Sequence, residues 1–271
     1  MDSILKLLEM TFIQRALIVG VLVSLSAALL GVPLVLKRYS MIGDGLSHVG
    51  FCALSVAAVM NLAPLYFSIP VVVIAAFLLL RLSGKEKIKG DAATALITTS
   101  ALAVGVIVTS FGSGITTDIN SYMFGSILTM SRSDVRLSIV LSIAVLVLFV
   151  LFYNRLLAVT FDETFARATG IKAQLYNMLL ALLTALTIVL GMRMMGTLLI
   201  SGLIVFPALT AMRVFKRFRS VMICSACVSV VCFVVGIIAS YVFSTPAGAS
   251  VVAANLAAFL LFWAVGAVKY R

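Results

Sequence analysis

Asp44 and His48 are the residues whose types and spacing best suit chemistry. His48 is the only histidine in the chain, and Asp44 is the only formally charged side chain between Arg38 and Arg81. Positions four apart share one face of a helix, so the carboxylate and the imidazole point the same way. Such a pair can bind a divalent cation or pass protons. Gly43 and Gly45 flank the acid and allow an irregular helix start and a close backbone approach. Two ligands are too few for a tight site. In a symmetric dimer two Asp44/His48 pairs would meet at the axis and supply four, the number zinc prefers and one that manganese completes with water. The bland alternative makes Asp44 a helix cap near the membrane interface, with His48 hydrogen-bonded internally.

Other candidate groups read as packing. Cys52, Cys224, Cys227 and Cys232 all lie in apolar runs, where cysteine acts as a small apolar filler. Met192, Met194 and Met195 have the softness for copper(I), but in a chain with 12 methionines they read as filler too. One histidine and 9 acidic residues offer no hydrolase arrangement, and no G-x-x-x-x-G-K-[ST] loop is present. Any energy from ATP must therefore come through another chain.

The elements that must position Asp44 and His48 are set by composition. The 271 residues are 63% apolar and 11% charged, with a mean hydropathy of +1.24. A soluble domain is roughly 45–50% apolar and 25% charged. A soluble enzyme, a disordered regulator and a nucleic-acid-binding domain are excluded, despite the net charge of +11. The basic residues fall in short clusters between apolar runs, which is a membrane-topology pattern. Uncharged stretches cover 16–36, 45–80, 92–117, 137–154, 173–192, 194–212 and 220–268. No ten-residue alternation suggests a barrel, and helices are the remaining way to span a bilayer.

The predicted fold class is all-α: a polytopic helical membrane protein, with 1–271 as a single transmembrane domain and 12–268 as its embedded core. Nine candidate crossings lie at about 12–36, 42–60, 66–82, 92–111, 135–154, 174–192, 196–212, 219–243 and 249–268, at about 20 residues each. The total falls to eight if one is partial. Breaks are expected at 61–64 and 244–248, and Pro207 is expected to kink or break its helix. Gly196, Ser201 and Gly202 permit close helix packing. The apolar segment 119–130 is too short to cross and reads as a half-helix dipping in from the outer side. Residues 1–10 read as an amphipathic lead-in, with no convincing cleavable signal. Alternate loops put 15 of the 20 Lys and Arg on one side, which predicts a cytoplasmic C-terminus and an outer N-terminus. The largest inner loop, 154–172, should hold a short helix capped by Thr160 or Asp162, running through Ala168 and ended by Gly170.

Five segments together resemble the zinc/manganese/iron-type ABC importer permeases: KRYSMIGDGLSHVG (37–50), SYMFGSIL (121–128), FDETFARATGIK (161–172), MGTLLISGLIVFPALTAMR (195–213) and STPAGASVV (244–252). They follow the family's order across most of the chain. The resemblance implies a permease subunit in the bacterial plasma (inner) membrane, working as a homodimer in the lipid bilayer. Its implied partners are cytoplasmic ABC ATPase subunits and an extracytoplasmic metal-binding protein, with no nucleic acid and no permanently bound cofactor. The cargo is expected to be Zn2+, with Mn2+ or Fe2+ possible. The family's metal ligands map onto Asp44 and His48. Its coupling helix lies in the cytoplasmic loop 155–172 and maps onto Asp162, Glu163, Ala166 and Gly170. Ser121 and Gly125 fall in the outer gate, and Gly43, Gly45 and Pro207 are further gating or helix-break positions. The competing function is a gradient-driven secondary cation transporter using Asp44/His48 as a relay, and a third option moves a metal chelate.

Overall fold

The structure, a computed structural model, describes residues 11–83, 90–111 and 132–269. The lead-in at 1–10 and the half-helix region, with Ser121 and Gly125, lie outside the described residues. Ten helices and no strand occur among them: α1 (Thr11–Leu36), α2 (Ile42–Val59), α3 (Pro64–Ser83), α4 (Gly90–Phe111), α5 (Arg132–Leu151), α6 (Tyr153–Phe161), α7 (Glu163–Ala168), α8 (Ala173–Val214), α9 (Phe218–Phe243) and α10 (Ala247–Lys269). Eight of them are long and apolar enough to cross a bilayer.

The expected breaks are where the sequence puts them. Asn61 (φ 53°) and Ser244 (φ 51°) take left-handed backbone after α2 and α9. Pro64 then opens α3, and the chain resumes as α10 after Pro246. Several buried hydroxyls are satisfied within their own helices: Ser26 Oγ donates to the Leu22 carbonyl at 2.8 Å and Thr184 Oγ1 to that of Leu180 at 2.7 Å. Others join helices, as where Ser229 Oγ donates to the Ser24 carbonyl at 2.9 Å and ties α9 to α1.

The longest element is α8. Its 42 residues would run about 63 Å if straight, twice a hydrocarbon core. Gly196 (φ 83°, ψ 166°) interrupts it. On a straight helix residues 191 and 200 would stand about 13.5 Å apart. Instead a methyl placed on Gly191 would fall 2.4 Å from Ile200 Cδ1, so the chain reverses between them. Packing against α1 confirms the reversal. Lys37 meets Asn177 and Val23 meets Gly191, so the first arm runs antiparallel to α1. Gly20 meets Met195 and Gly31 meets Ile204, so the second arm runs parallel to it. The two crossings expected at 174–192 and 196–212 are thus the arms of one hairpin, which makes nine passes among the described residues. Pro207 carries no break: it lies buried within the second arm, and the only non-helical backbone in α8 is at Gly196. Proline keeps a helical φ and can sit in a helix that neighbours support, whereas the angles of Gly196 are open to little but glycine.

The α8 hairpin, α1 and α2 form the centre, with 72%, 67% and 67% of their apolar windows buried, whereas α4 and α10 bury only 17%. Peripheral helices present bare apolar side chains outward, such as Val140, Val147 and Val150 of α5 and Leu260 and Leu261 of α10. In water such faces would be untenable; in lipid they need no cover.

Candidate functional site

The helix α2 begins at Ile42, and its N-cap residue Met41 makes no side-chain cap bond, so Asp44 lies in the first turn rather than at the cap. A carboxylate there is favoured by the positive end of the helix dipole. Gly43 and Gly45 sit inside regular helix, so the irregular start does not occur. Close approach does: a Cβ on Gly43 would lie 3.0 Å from Ile204 of α8, and one on Gly45 would lie 2.9 Å from Thr94 of α4.

Asp44 Oδ1 stands 3.8 Å from His48 Nε2, with 42% of the Asp44 side chain and 16% of the His48 side chain uncovered. That gap is too long for a hydrogen bond. Two donors about 2.05 Å from one tetrahedral ion would be about 3.4 Å apart, so a small closure would let both touch one cation. Ser201 Oγ, on the second arm of α8, lies 3.5 Å from Asp44 Oδ1 and donates to the Thr197 carbonyl at 3.0 Å. His48 Nδ1 is buried and has no hydrogen-bond partner. Among the described residues no three His, Cys, Asp or Glu side chains converge, so one chain offers only half a coordination shell.

Depth follows from the packing register. Gly43 is level with Ile204, and Ile204 with Gly31, which is five residues inside the end of α1. Asp44 therefore sits roughly 10 Å inside the apolar slab. A half-uncovered carboxylate is costly against lipid at that depth and calls for another polar surface.

The inner loop carries the expected short helix and one more. Asp162 Oδ1 accepts from the Phe165 amide at 2.9 Å and caps α7, while Thr160 instead donates to the Leu156 carbonyl inside α6. Gly170 (φ 82°) ends the turn. Ala166 is fully buried with Val159 and Ala173, which fixes α7 against α6 and α8. The additional helix α6 was not anticipated: its one-sided pair Leu156 and Val159 is a weak signal in nine residues.

Glu163 anchors a polar cluster that sequence reasoning missed. Lys37 Nζ, with 9% of its side chain exposed, donates to Asn177 Oδ1 and lies 3.6 Å from Glu163 Oε2. Asn177 Nδ2 donates to the same Glu163 oxygen at 3.0 Å, and Arg167 pairs with Glu163 Oε1 from one turn on. Burial, only partly offset by Glu163, holds the Lys37 ammonium below the ordinary lysine range. Burial pushes the Glu163 carboxyl upward, but the Asn177 amide, Lys37 and Arg167 outweigh it and keep that carboxyl below its usual range. At the other membrane face Arg193 Nη2 pairs with Asp134 Oδ2 at 2.9 Å, joining α5 to the α8 hairpin near its bend. Met192, Met194 and Met195 are buried in the core, and all four cysteines are free, as filler roles require.

Residues 9–266 match the model of ABC-3, the ABC 3 transport family. The chain belongs to that family. Among curated ABC 3-type relatives it is 30% identical over 250 residues to the manganese import system permease protein ScaB of Streptococcus gordonii, across 92% of this chain and 90% of that one. It is 29% identical over 246 residues to the high-affinity zinc uptake system membrane protein ZnuB of Haemophilus influenzae, across 91% and 94%. A solved structure described as PsaBC from Streptococcus pneumoniae in complex with Fab superposes with a TM-score of 0.86 at 29% identity, across 97% of this chain and 94% of that one. The fold and the family expected from the five segments are thereby established.

Proposed function

We propose that this ABC 3 family chain is the membrane-spanning permease subunit of an ATP-driven importer of a divalent transition-metal ion. It works as a homodimer in the bacterial inner membrane with its C-terminus in the cytoplasm. Separate ATPase subunits meet it at α7, and an extracytoplasmic binding protein delivers the ion. The carrying observation is the Asp44 carboxylate: half-uncovered, inside the apolar slab and 3.8 Å from the only imidazole in the chain. Two such pairs facing across a two-fold axis give two carboxylates and two imidazoles, a donor set that offsets the lost hydration of a dication.

Asp44 supplies charge and His48 a neutral nitrogen. A metal-bound histidine in a tight site has its second nitrogen tied to a partner. The unpartnered Nδ1 of His48 fits a brief stop on a path rather than a storage site. The donor set serves manganese and zinc alike, and the names of the relatives span both, so the leaning toward zinc becomes a choice between the two ions. Arg, Lys and the α6–α7 loop cluster at one membrane face, which supports placing that face in the cytoplasm.

The test is uptake of Mn2+ and Zn2+ in metal-starved cells expressing the permease with its ATPase and binding protein. Asp44→Ala and His48→Ala should each cut uptake at least about tenfold at unchanged protein level. Full uptake by both variants would refute the site. Omitting the ATPase should abolish transport, and uptake that persists without it would favour the gradient-driven alternative.

A further inference from the structure

The cluster at the inner face places one carboxylate of α7 in contact with two different membrane helices. Glu163 lies 3.6 Å from Lys37, the first residue after α1, and accepts from Asn177, in the second turn of α8. Lys37 also donates to Asn177, so the three side chains close a triangle. The chain beyond Lys37 is short and heavily bonded. The Lys37 amide donates to the Pro33 carbonyl at 3.0 Å, Tyr39 to Leu34 at 2.8 Å and Ile42 to Tyr39 at 3.1 Å, with Arg38 in left-handed backbone (φ 61°). No slack segment separates Lys37 from Asp44, so a displacement of the lysine end moves the start of α2. At the other corner α7 cannot slide freely, because Ala166 is fully buried against α6 and α8.

A lysine this well covered is held in place by its partners, since an ammonium without them would be strongly penalised. Arg167 holds the second oxygen of Glu163 and fixes the direction in which the first points. The contacts thus form a short path from the exposed face of α7 to the helix that carries Asp44 and His48. Side chains that merely shield an exposed loop would not need a covered cation at their centre.

We propose that the Lys37–Asn177–Glu163 triangle is the linkage through which movement of α7 reaches the metal-holding helix, so that its members are positioning residues that couple ATP hydrolysis to transport. This rests on the function proposed above, with α7 as the surface that meets the ATPase. The linkage carries no ion itself and touches neither ligand.

The experiment uses the assembled permease–ATPase complex in proteoliposomes with its binding protein, and measures metal transported per ATP hydrolysed. Lys37→Met and Asn177→Leu, both outside α7, should assemble with the ATPase and hydrolyse ATP, while the transport-to-hydrolysis ratio falls about tenfold. The paired exchange Lys37→Glu with Glu163→Lys should restore part of the ratio, because the Asn177 amide can turn to serve either polarity and Arg167, 64% exposed, can swing away. A wild-type ratio in both single variants would overturn the linkage. Loss of assembly in both would also overturn it, since the cluster would then be holding the fold. A wild-type complex that moves neither manganese nor zinc would refute the proposed function instead, which keeps the two failures distinct.

Discussion

Asp44 acquires its character from where it is put. Its first-turn position on α2 shows that it is not the N-cap, and its 42% uncovered side chain beside His48 is what the proposed ligand role rests on. Ser201 is the neighbour that holds it within this chain. That hydroxyl is shared with the Thr197 carbonyl, and its 3.5 Å reach to Asp44 is long, so its contribution falls below the usual range for a bond to a charged group, at about 1 kcal/mol. Ser201→Ala should therefore reduce metal uptake by less than about tenfold, well short of Asp44→Ala, with no loss of folded protein. A loss as deep as that of Asp44→Ala would make Ser201 a ligand in its own right. Asp44 and His48 were legible in the sequence because each is alone of its kind in a long apolar stretch and four positions separate them. Ser201 was legible only as a small packing residue. Its meeting with Asp44 spans 157 positions and depends on how far the α8 hairpin folds, which periodicity does not encode. Lys37 likewise read as one more inner-face charge until Asn177 and Glu163 were seen to enclose it.

At the scale of elements, hydropathy located every crossing among the described residues, since a bilayer demands about 20 apolar residues for each pass. It also placed the turn inside α8, between 192 and 196, but not the residue that makes it. Proline is the conspicuous breaker in that stretch, yet Pro207 is accommodated and Gly196 makes the reversal, because a tight turn between packed arms needs angles that side chains forbid. The reversal also brings Gly31 against the second arm so closely that a Cβ would lie 1.9 Å from the Ile204 carbonyl oxygen. Gly196→Ala should thus cost about 1–3 kcal/mol and lower the thermal midpoint of the detergent-solubilised permease by several degrees. Gly202→Ala is the control. It lies in regular helix with a single Val252 methyl 3.1 Å away that has to give by only a few tenths of an ångström, and should change the midpoint less than Gly196→Ala does. Equal midpoints for Gly196→Ala and wild type would mean that the bend at Gly196 can be made by other angles.

Over the whole molecule, the carboxyls held below their usual range among the described residues, Asp162 and Glu163, both lie at the face that carries α7. The capping carboxyl of Asp162 is held below its usual range chiefly by the Phe165 amide, with help from Thr164. Glu163 is held low by Asn177, Lys37 and Arg167 against the opposing effect of burial. A carboxyl whose folded pKa is depressed contributes stability that is complete above its unfolded pKa and is lost as pH falls through the folded one. Lys37 is also held below its ordinary range, by burial, but from the alkaline end of the scale, so it does not set the acid window. Once Glu163 takes a proton, however, Lys37 remains as a covered cation without its counter-charge, and the attachment of α7 weakens further. Amide hydrogen exchange on the solubilised complex, corrected for intrinsic rates, should show the protection of the Phe165 and Ala166 amides holding from neutral pH down to about pH 5 and falling as the pH is taken below about 4. Amides in the buried stretch of α8 around Leu183 and Ile188 should keep theirs. Asp162→Asn and Glu163→Gln together should flatten the dependence at a lower starting protection. A loss of protection that sets in equally across α7 and the core of α8 would place the acid-sensitive groups elsewhere in the molecule.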